Sequence, residues 1–187
     1  MNTSKQQPVA ATRRWLRDAV VGLNLCPFAG SVMNNEQLRV VQTQARSSLA
    51  LLRRLGAELH LLQSDSRIET TLLVHPQLLT EFADYNEFLA QADALLMALG
   101  LDGVFQIASF HPQYRFAGTS KHAAENYSNR SPYPMLHILR EASLSAAIDS
   151  HPDPAAIPAA NIRRMNQLGA SHMAALQAAC LASRNKS

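Results

Sequence analysis

The sequence predicts a single α/β domain, spanning residues 1–187, built on a small and mostly parallel sheet of three strands. Three short apolar runs alternate with segments whose apolar residues recur every three or four positions, which gives the order strand–helix–strand–helix–strand. Short links in this order are typical of parallel strands joined by right-handed crossovers. We therefore expect a βαβαβ core with additional helices at the N-terminal and C-terminal ends, and flexible residues at 1–7 and 183–187.

The predicted strands cover residues 38–43, 69–75 and 104–110. Their side chains form nearly continuous apolar runs, as expected when helices cover both faces of a sheet. Pro76 and Pro112 follow the second and third runs and mark where those strands end.

The 3.6-residue spacing of apolar side chains predicts five helices. They cover residues 8–25, a segment that begins at Ser47 or Ser48 and extends to Leu62, and residues 82–99, 134–150 and 159–182. The polar residues 31–37 are predicted to form a loop. A second loop, at 113–131, is long, and loops of this length are uncommon unless they are functional or mobile.

The composition is that of an ordinary globular protein, with 47% hydrophobic and 17% charged residues. Residues 1–12 lack the apolar core of a signal peptide, and no window holds the roughly 18 apolar residues of a membrane helix. Cys26 and Cys180 form neither a CxxC pair nor a disulfide framework. These observations predict a cytoplasmic protein without a membrane partner. The net charge of +3 is too diffuse to favour nucleic acid.

The charges are distributed unevenly along the chain. Residues 66–102 carry one base and six acids, whereas residues 103–140 carry four bases and one acid. Most of the bases are arginines, which are preferred where a carboxylate or phosphate accepts two parallel hydrogen bonds. Alternatively, the arginines reflect genome composition or pair with the acidic half, or the asymmetry marks a docking face.

Two histidines directly follow predicted strands, His75 in TTLLVHP and His111 in QIASFHP. Because parallel strands end at the same edge of a sheet, where open α/β folds bind ligands, we expect both imidazoles at one shared edge. His111 is then a candidate general acid/base, with His75 beside it. Alternatively, His-Pro is a strand terminator whose imidazole caps a loop carbonyl.

The loop after His111 supplies most of the candidate ligand-binding residues. Arg115 and Arg130 are suited to a carboxylate or phosphate, and the prolines on either side of Tyr133 restrict the backbone there. Together with the start of the next predicted helix, the candidates are Arg115, Asn129, Arg130, Ser131, Tyr133, His137, Arg140 and Glu141.

A divalent metal is an alternative for the same region. His137 and Glu141 are four residues apart in the predicted helix 134–150 and so share one face. With His75 and His111 they would supply a ligand set suited to Zn²⁺ or Fe²⁺. The pattern is not HExxH, and a His/Glu pair at this spacing also forms ordinary hydrogen bonds on helix surfaces. No motif implies another cofactor.

Cys26 ends the first predicted helix and is a candidate nucleophile if it reaches the same edge as the histidines. Most free cysteines are small buried hydrophobic residues, which is the alternative here. The chain has no glycine-rich phosphate loop, GxSxG elbow or CxxC pair. These absences argue against nucleotide hydrolases, serine hydrolases and thioredoxin-like proteins.

Four segments carry a resemblance to a known family. They are GLNLCPFA at 22–29, TTLLVHP at 70–76, ASFHP at 108–112 and NRSPYPMLHILREAS at 129–143. Together they resemble the bacterial family of unknown function DUF1415, over residues 12–169. The resemblance implies a bacterial protein of one domain, and it implies no activity.

The leading hypothesis is an enzyme or a binder that acts on a small anionic molecule, a carboxylate or phosphate, at the carboxyl edge of the sheet. Arg115 and Arg130 would bind the anion, and His111 would be the general acid/base. The alternatives are a metal-binding protein and a non-catalytic interaction or regulatory protein. The sequence leaves open whether the chain forms a homo-oligomer.

Overall fold

A computed structural model describes residues 3–182. Its four strands are β1 (Leu38–Gln42), β2 (Thr70–Val74), β3 (Phe105–Phe110) and β4 (Met135–Arg140). They form one sheet in the order β1-β2-β4-β3. β1 and β2 are parallel, whereas β4 lies between β2 and β3 and is antiparallel to both. The predicted α/β class is therefore confirmed, but the prediction of three mostly parallel strands is wrong, because a fourth strand makes the sheet mixed.

Helices cover both faces of the sheet. They are α1 (Thr3–Trp15), α2 (Ala29–Asn34), α3 (Ser48–Ser64), α4 (Phe82–Ala98), α5 (Glu141–Ser150), α6 (Ile157–Leu168) and α7 (Ala170–Leu181). A π-helical segment, Leu16–Val21, continues α1. Of the two ends expected to be flexible, residues 3–7 form the first turns of α1, and residues 1, 2 and 183–187 lie outside the described part. No helix within residues 3–182 combines the length and the hydropathy needed to cross a membrane.

Two buried layers cover the sheet, one on each face. α3 and α4 cover the first face with the buried side chains Leu51, Leu55, Leu59, Leu62, Tyr85, Phe88, Ala92 and Leu96. α1, the π-helical segment and α7 cover the second face, with Trp15, Leu16, Ala19, Val20 and Cys180. Successive residues of β2 point to opposite faces, so Leu73 enters the first layer and Leu72 the second. This burial on both sides explains why the strands are continuous apolar runs.

The predicted boundaries of three strands and of the helices α3 and α4 agree closely with the structure. The three predicted strands agree with β1, β2 and β3 to within one residue at each end. The Ser47 hydroxyl caps α3 by accepting a hydrogen bond from the Ala50 N–H at 3.3 Å. Gly100 follows α4 with a φ of 67°, a conformation that glycine adopts without steric cost.

The predicted helix 134–150 is wrong in its first half. Residues 135–140 form β4, and the helix α5 begins only at Glu141. The segment MLHIL is a short apolar run, and such a run does not distinguish a buried strand from a buried helix by its spacing. Pairing with β2 and β3 on both sides satisfies its backbone groups and makes it a central strand.

Three other predicted segments also need correction. The first helix begins at Thr3 instead of residue 8 and ends, including its π-helical part, at Val21. The predicted loop 31–37 overlaps the short helix α2. The predicted helix 159–182 is divided into α6 and α7 at Gly169, where φ is 80° and ψ is 153°. The apolar spacing runs through Gly169 and therefore did not reveal the break.

An ion-pair group around the buried Glu58 ties the edge strand β1 to α3. The Glu58 side chain is 2% exposed and accepts a hydrogen bond from Arg39 Nε at 2.7 Å and another from Arg54. The arginine side chains are 34% and 37% exposed, so water screens the charges on their side of the group. β1, which has a neighbouring strand on one side alone, is thereby fixed to the first layer.

The π-helical segment explains Gly22 in the motif GLNLCPFA. The Gly22 N–H donates to the Arg17 carbonyl, five residues earlier, at 3.0 Å. The wider turn brings the backbone so close that a Cβ at position 22 would lie 2.5 Å from the Asp18 carbonyl oxygen. The close approach of the chain therefore requires glycine here.

We expect Gly22→Ala to lower the free energy of unfolding by about 1–3 kcal/mol, because the added methyl group overlaps a backbone oxygen that has to move. Urea denaturation measures the change. Gly30→Ala in α2 is the matched control, since its methyl group would meet no atom closer than 4.0 Å and alanine favours a helix. Equal stability of the two variants would contradict the explanation.

Candidate functional site

His75 and His111 leave the sheet at the same edge. Val74, the last residue of β2, and Phe110, the last residue of β3, both lie opposite Met135 of β4. The two histidines are therefore at the same level, one strand apart. Their rings lie on the face covered by α4, because the preceding Val74 and Phe110 pack in the second layer.

Tyr85 of α4 joins the two imidazoles. Its ring stacks on His75 with the centroids 5.9 Å apart and contacts His111 at 5.1 Å. Its hydroxyl donates to the Met135 carbonyl at 2.8 Å and accepts from the Phe110 N–H at 3.0 Å. The hydroxyl thus bridges the last residue pair of β3 and β4, and burial raises the pKa of Tyr85.

Both imidazoles bind the backbone of the link between β2 and α4. His75 Nδ1 donates to the Leu78 carbonyl at 2.9 Å, and His111 Nε2 donates to the Leu79 carbonyl at 3.1 Å. His111 Nδ1 accepts from the Gln113 N–H at 3.0 Å, so both of its nitrogens have backbone partners. Burial lowers the pKa of His111 and lowers that of His75 to about 4. Each imidazole caps a loop carbonyl.

The four residues of the metal alternative are not brought together. His137 lies within β4, where its Nε2 is 2.7 Å from the Thr70 hydroxyl. Glu141 begins α5, beyond the end of β4 that is distant from His75 and His111. No group of three or more His, Cys, Asp or Glu residues in the described part of the chain is arranged to hold a metal ion. The predicted spacing of His137 and Glu141 assumed a helix that β4 replaces.

The sheet separates Cys26 from His111. Cys26 is half-buried and packs against the second layer, whereas His111 contacts Phe82 and Tyr85 of α4. A nucleophile and its base have to lie within hydrogen-bond reach of each other. The structure therefore does not bring Cys26 and His111 together.

Arg140 stabilises the end of α3. Its guanidinium donates to three backbone carbonyls at or after the last turn of that helix, those of Leu62, Asp65 and Ile68. A cation at this position satisfies carbonyls that have no partner within the helix. Arg140 thus fixes α3 to the end of β4, and it lies away from the edge that carries the histidines.

Three further candidates hold the loop in place. The Asn129 amide donates to the Ser109 carbonyl at 3.2 Å, which attaches the loop to the outer side of β3. The buried Ser131 hydroxyl donates to the Tyr133 carbonyl at 2.7 Å. The Tyr133 ring packs against the second layer. These side chains shape the loop from within.

Arg115 and Arg130 line an open cleft of about 490 Å³ formed by the loop 113–131, the start of α4 and α7. Its basic residues are Arg115, Lys121, His122 and Arg130, and its aromatic residues are Phe82 and Tyr127. Arg115 and Lys121 are exposed, and their side chains form no ion pair within residues 3–182. The suggested pairing of the loop arginines with the acidic residues of 66–102 is therefore not observed in that part of the chain.

The structure fixes Arg130 in the wall of this cleft. Its Nε donates to the Tyr114 carbonyl at 3.0 Å, and its Nη2 donates to the Lys121 carbonyl at 2.7 Å. The guanidinium also lies over the Tyr127 ring, 4.5 Å from its centroid. Opposite, the Gln177 amide of α7 donates to the carbonyls of Pro112 and Ser131.

Seven cleft residues were not identified as site residues from the sequence. They are Phe82, Pro112, Gln113, Lys121, His122, Tyr127 and Gln177. Phe82 has the spacing of a core residue of α4, and Gln177 lies in a helix far along the chain with no motif. For the residues of the loop 113–131 the usable signal was the local excess of bases in an unusually long loop.

Comparison with known proteins gives one match. A family model described as a protein of unknown function (DUF1415) matches residues 7–175. The comparison with curated proteins and the comparison with solved structures give no match. The function of the cleft therefore has to be argued from its own geometry.

Tyr85→Phe is expected to lower the free energy of unfolding by about 1–3 kcal/mol, because it leaves the Phe110 N–H and the Met135 carbonyl without their bridging hydroxyl. Chemical denaturation measures the loss. Tyr114→Phe is the control, since the hydroxyl of this partly buried tyrosine forms no hydrogen bond with a described residue. If both substitutions have the same effect, the hydroxyl bridge does not stabilise the edge.

We expect the stability to fall as the pH is lowered from about 6.5 to about 4. Burial lowers the pKa of His75 to about 4, so the folded protein keeps this ring neutral while the unfolded chain already binds a proton. Between these two pKa values, each histidine of this kind lowers the free energy of unfolding by up to about 1.4 kcal/mol for every pH unit of acidification. Above the pKa of the unfolded chain the histidine is neutral in both states, and the free energy of unfolding no longer depends on its titration.

Denaturation curves at several pH values test this dependence. His75→Asn keeps a donor for the Leu78 carbonyl but does not titrate, so its stability should depend less on pH than that of the wild type. His60→Asn, at an exposed position of α3, should retain the wild-type dependence. An unchanged slope in His75→Asn would exclude His75 as a source of the acid sensitivity.

Proposed function

We propose that this chain, which belongs to the family DUF1415, binds a small anionic molecule in the basic cleft. The proteins of this family are of unknown function, so membership brings no activity with it and the proposal rests on the chain's own residues. The observation that supports this proposal most directly is the pair of exposed cations, Arg115 and Lys121, beside the immobilised Arg130. A carboxylate or a phosphate matches their charge and their hydrogen-bond donors.

The electrostatics of the cleft favour an anion. None of the ion pairs within residues 3–182 uses Arg115, Lys121 or Arg130, so no carboxylate of the described residues pairs directly with these cations. Like charges that line a concave surface add their fields and raise the local concentration of anions. An arriving anion would also relieve the repulsion between neighbouring cations.

Arg130 supplies a donor group whose position is already fixed. Its bonds to the carbonyls of Tyr114 and Lys121 use Nε and Nη2, which leaves Nη1 without a partner among the described residues. A side chain that is ordered before binding loses less entropy when the ligand arrives. Arg115 and Lys121 are exposed and would adapt to the ligand.

The proposal gives His111 a positioning role. Both of its ring nitrogens bind backbone groups, and its ring packs against Phe82 at 5.4 Å, behind the wall of the cleft. His111 thereby orients Gln113, whose N–H it binds, and supports Phe82; both residues line the cleft. The imidazole that lines the cleft itself is His122, so a proton transfer to a bound molecule would involve His122 before His111.

Titration of the purified protein with inorganic phosphate and with acetate, followed by isothermal calorimetry and thermal shift, tests the proposal. We expect a saturable heat and a rise in melting temperature with at least one of them, both weakened by added sodium chloride. Arg115→Ala and Lys121→Ala should each weaken binding by about tenfold or more, since a hydrogen bond to a charged group contributes roughly 1.5–3 kcal/mol.

Arg53→Ala is the control for a general loss of positive charge, because Arg53 is an exposed arginine of α3 that does not line the cleft. It should bind like the wild type. Absence of saturable binding to the wild type, or equal affinity of all three variants, would refute the proposal.

A further inference from the structure

The cleft has an aromatic side as well as a cationic one. Phe82, at the start of α4, and Tyr127, in the loop, are both partly buried and both line it, together with Pro112. An inorganic ion needs only charges and donors from its site. The exposed parts of the two rings remain in contact with water unless the ligand also has an apolar surface that covers them.

Both rings are held in place. Phe82 contacts His111 at 5.4 Å and Tyr114 at 5.1 Å between ring centroids. Tyr127 carries the guanidinium of Arg130 over its face at 4.5 Å. The guanidinium is itself fixed by two carbonyls, so the cleft contains planar groups whose orientation does not depend on the ligand. Fixed planar groups favour planar partners, which stack on aromatic rings and on guanidinium groups alike.

The size of the cleft agrees with a ligand larger than a simple ion. The cleft is open to solvent, and its volume of about 490 Å³ leaves room for a small organic molecule. Sites for small organic molecules combine an apolar surface with a few polar groups that fix the orientation of the ligand. Here the apolar surface is Phe82, Tyr127 and Pro112, and the polar groups are the cations.

We infer that the molecule bound in the cleft is a planar aromatic ring that carries a carboxylate or a phosphate-type group. The ring lies against Phe82 and the Tyr127–Arg130 pair, while Arg115 and Lys121 bind the anionic group. This assignment rests on the proposed anion-binding function and specifies the class of molecule. It requires both halves of the ligand for full affinity.

Matched pairs of ligands test the two halves separately. Calorimetry on the full chain compares phenylphosphonate with methylphosphonate, and benzoate with acetate; cyclohexanecarboxylate serves as an apolar acid of similar size that is not planar. We expect each aromatic ligand to bind at least about fivefold more tightly than its methyl analogue, since an aromatic contact adds stabilisation beyond area burial. Benzoate should also bind more tightly than cyclohexanecarboxylate.

A substitution in the wall gives an independent readout. Phe82→Leu keeps an apolar side chain but removes the planar ring, so the ratio of the affinity for phenylphosphonate to the affinity for methylphosphonate should shrink. Phe28→Leu is the control, because Phe28 is a partly buried aromatic residue outside the cleft. Melting curves of both variants show that they are folded, and the comparison of ligands on the wild type does not depend on them.

The outcomes separate this inference from the proposed function. If methylphosphonate and acetate bind as tightly as their aromatic analogues, the cleft is an anion site and the aromatic assignment is overturned. If cyclohexanecarboxylate equals benzoate, the cleft selects apolar bulk, and planarity is excluded. If none of the five ligands binds but inorganic phosphate does, the inference is overturned and the proposed function stands; if inorganic phosphate does not bind either, both fail.

Discussion

The hydroxyl of Tyr85 is the interaction on which the arrangement of this protein depends. It joins the Phe110 N–H to the Met135 carbonyl and so completes the pairing of β3 with β4 at the edge where both histidines emerge. The same ring lies against His75 and His111. Tyr85 therefore connects α4 to β3, to β4 and to the two histidines that follow β2 and β3. The hydrogen bonds of the histidines to the Leu78 and Leu79 carbonyls fix the link that leads into Phe82.

A rigid frame of this kind suits a binding cleft whose remaining parts are exposed. Arg130 and Arg140 are of the same residue type, and both donate to backbone carbonyls, yet their surroundings give them different roles. Arg140 binds the Leu62 carbonyl in the last turn of α3 and the carbonyls of Asp65 and Ile68 that follow the helix. Arg130 binds two carbonyls of its own loop and still lines the cleft. Guanidinium groups offer five donors, so one arginine can fix a loop and retain donors for a ligand.

The histidines show how a correct placement on the sheet can still mislead about chemistry. His75 and His111 each follow a strand, and the two strands run in the same direction, so both histidines were expected at one edge of the sheet. This remains true although β4 lies between the two strands. Their hydrogen bonds depended on where the backbone of residues 78, 79 and 113 would come, which no local pattern encodes. Burial also lowers the pKa of both rings, and the bonds of their nitrogens to backbone groups favour a structural role.

The sequence by itself determined the α/β class, three of the strands, the helices α3 and α4 with their caps, and the concentration of bases in one long loop, because these follow from local spacing, turn residues and composition. The tertiary structure alone decided that MLHIL is a central strand, that His137 and Glu141 diverge, and that Phe82 and Gln177 face the same cleft as Arg115. The physical reason is that strand pairing and the walls of the cleft are formed by residues far apart in the chain. The contacts that stabilise them are tertiary contacts, which no short segment of the sequence contains.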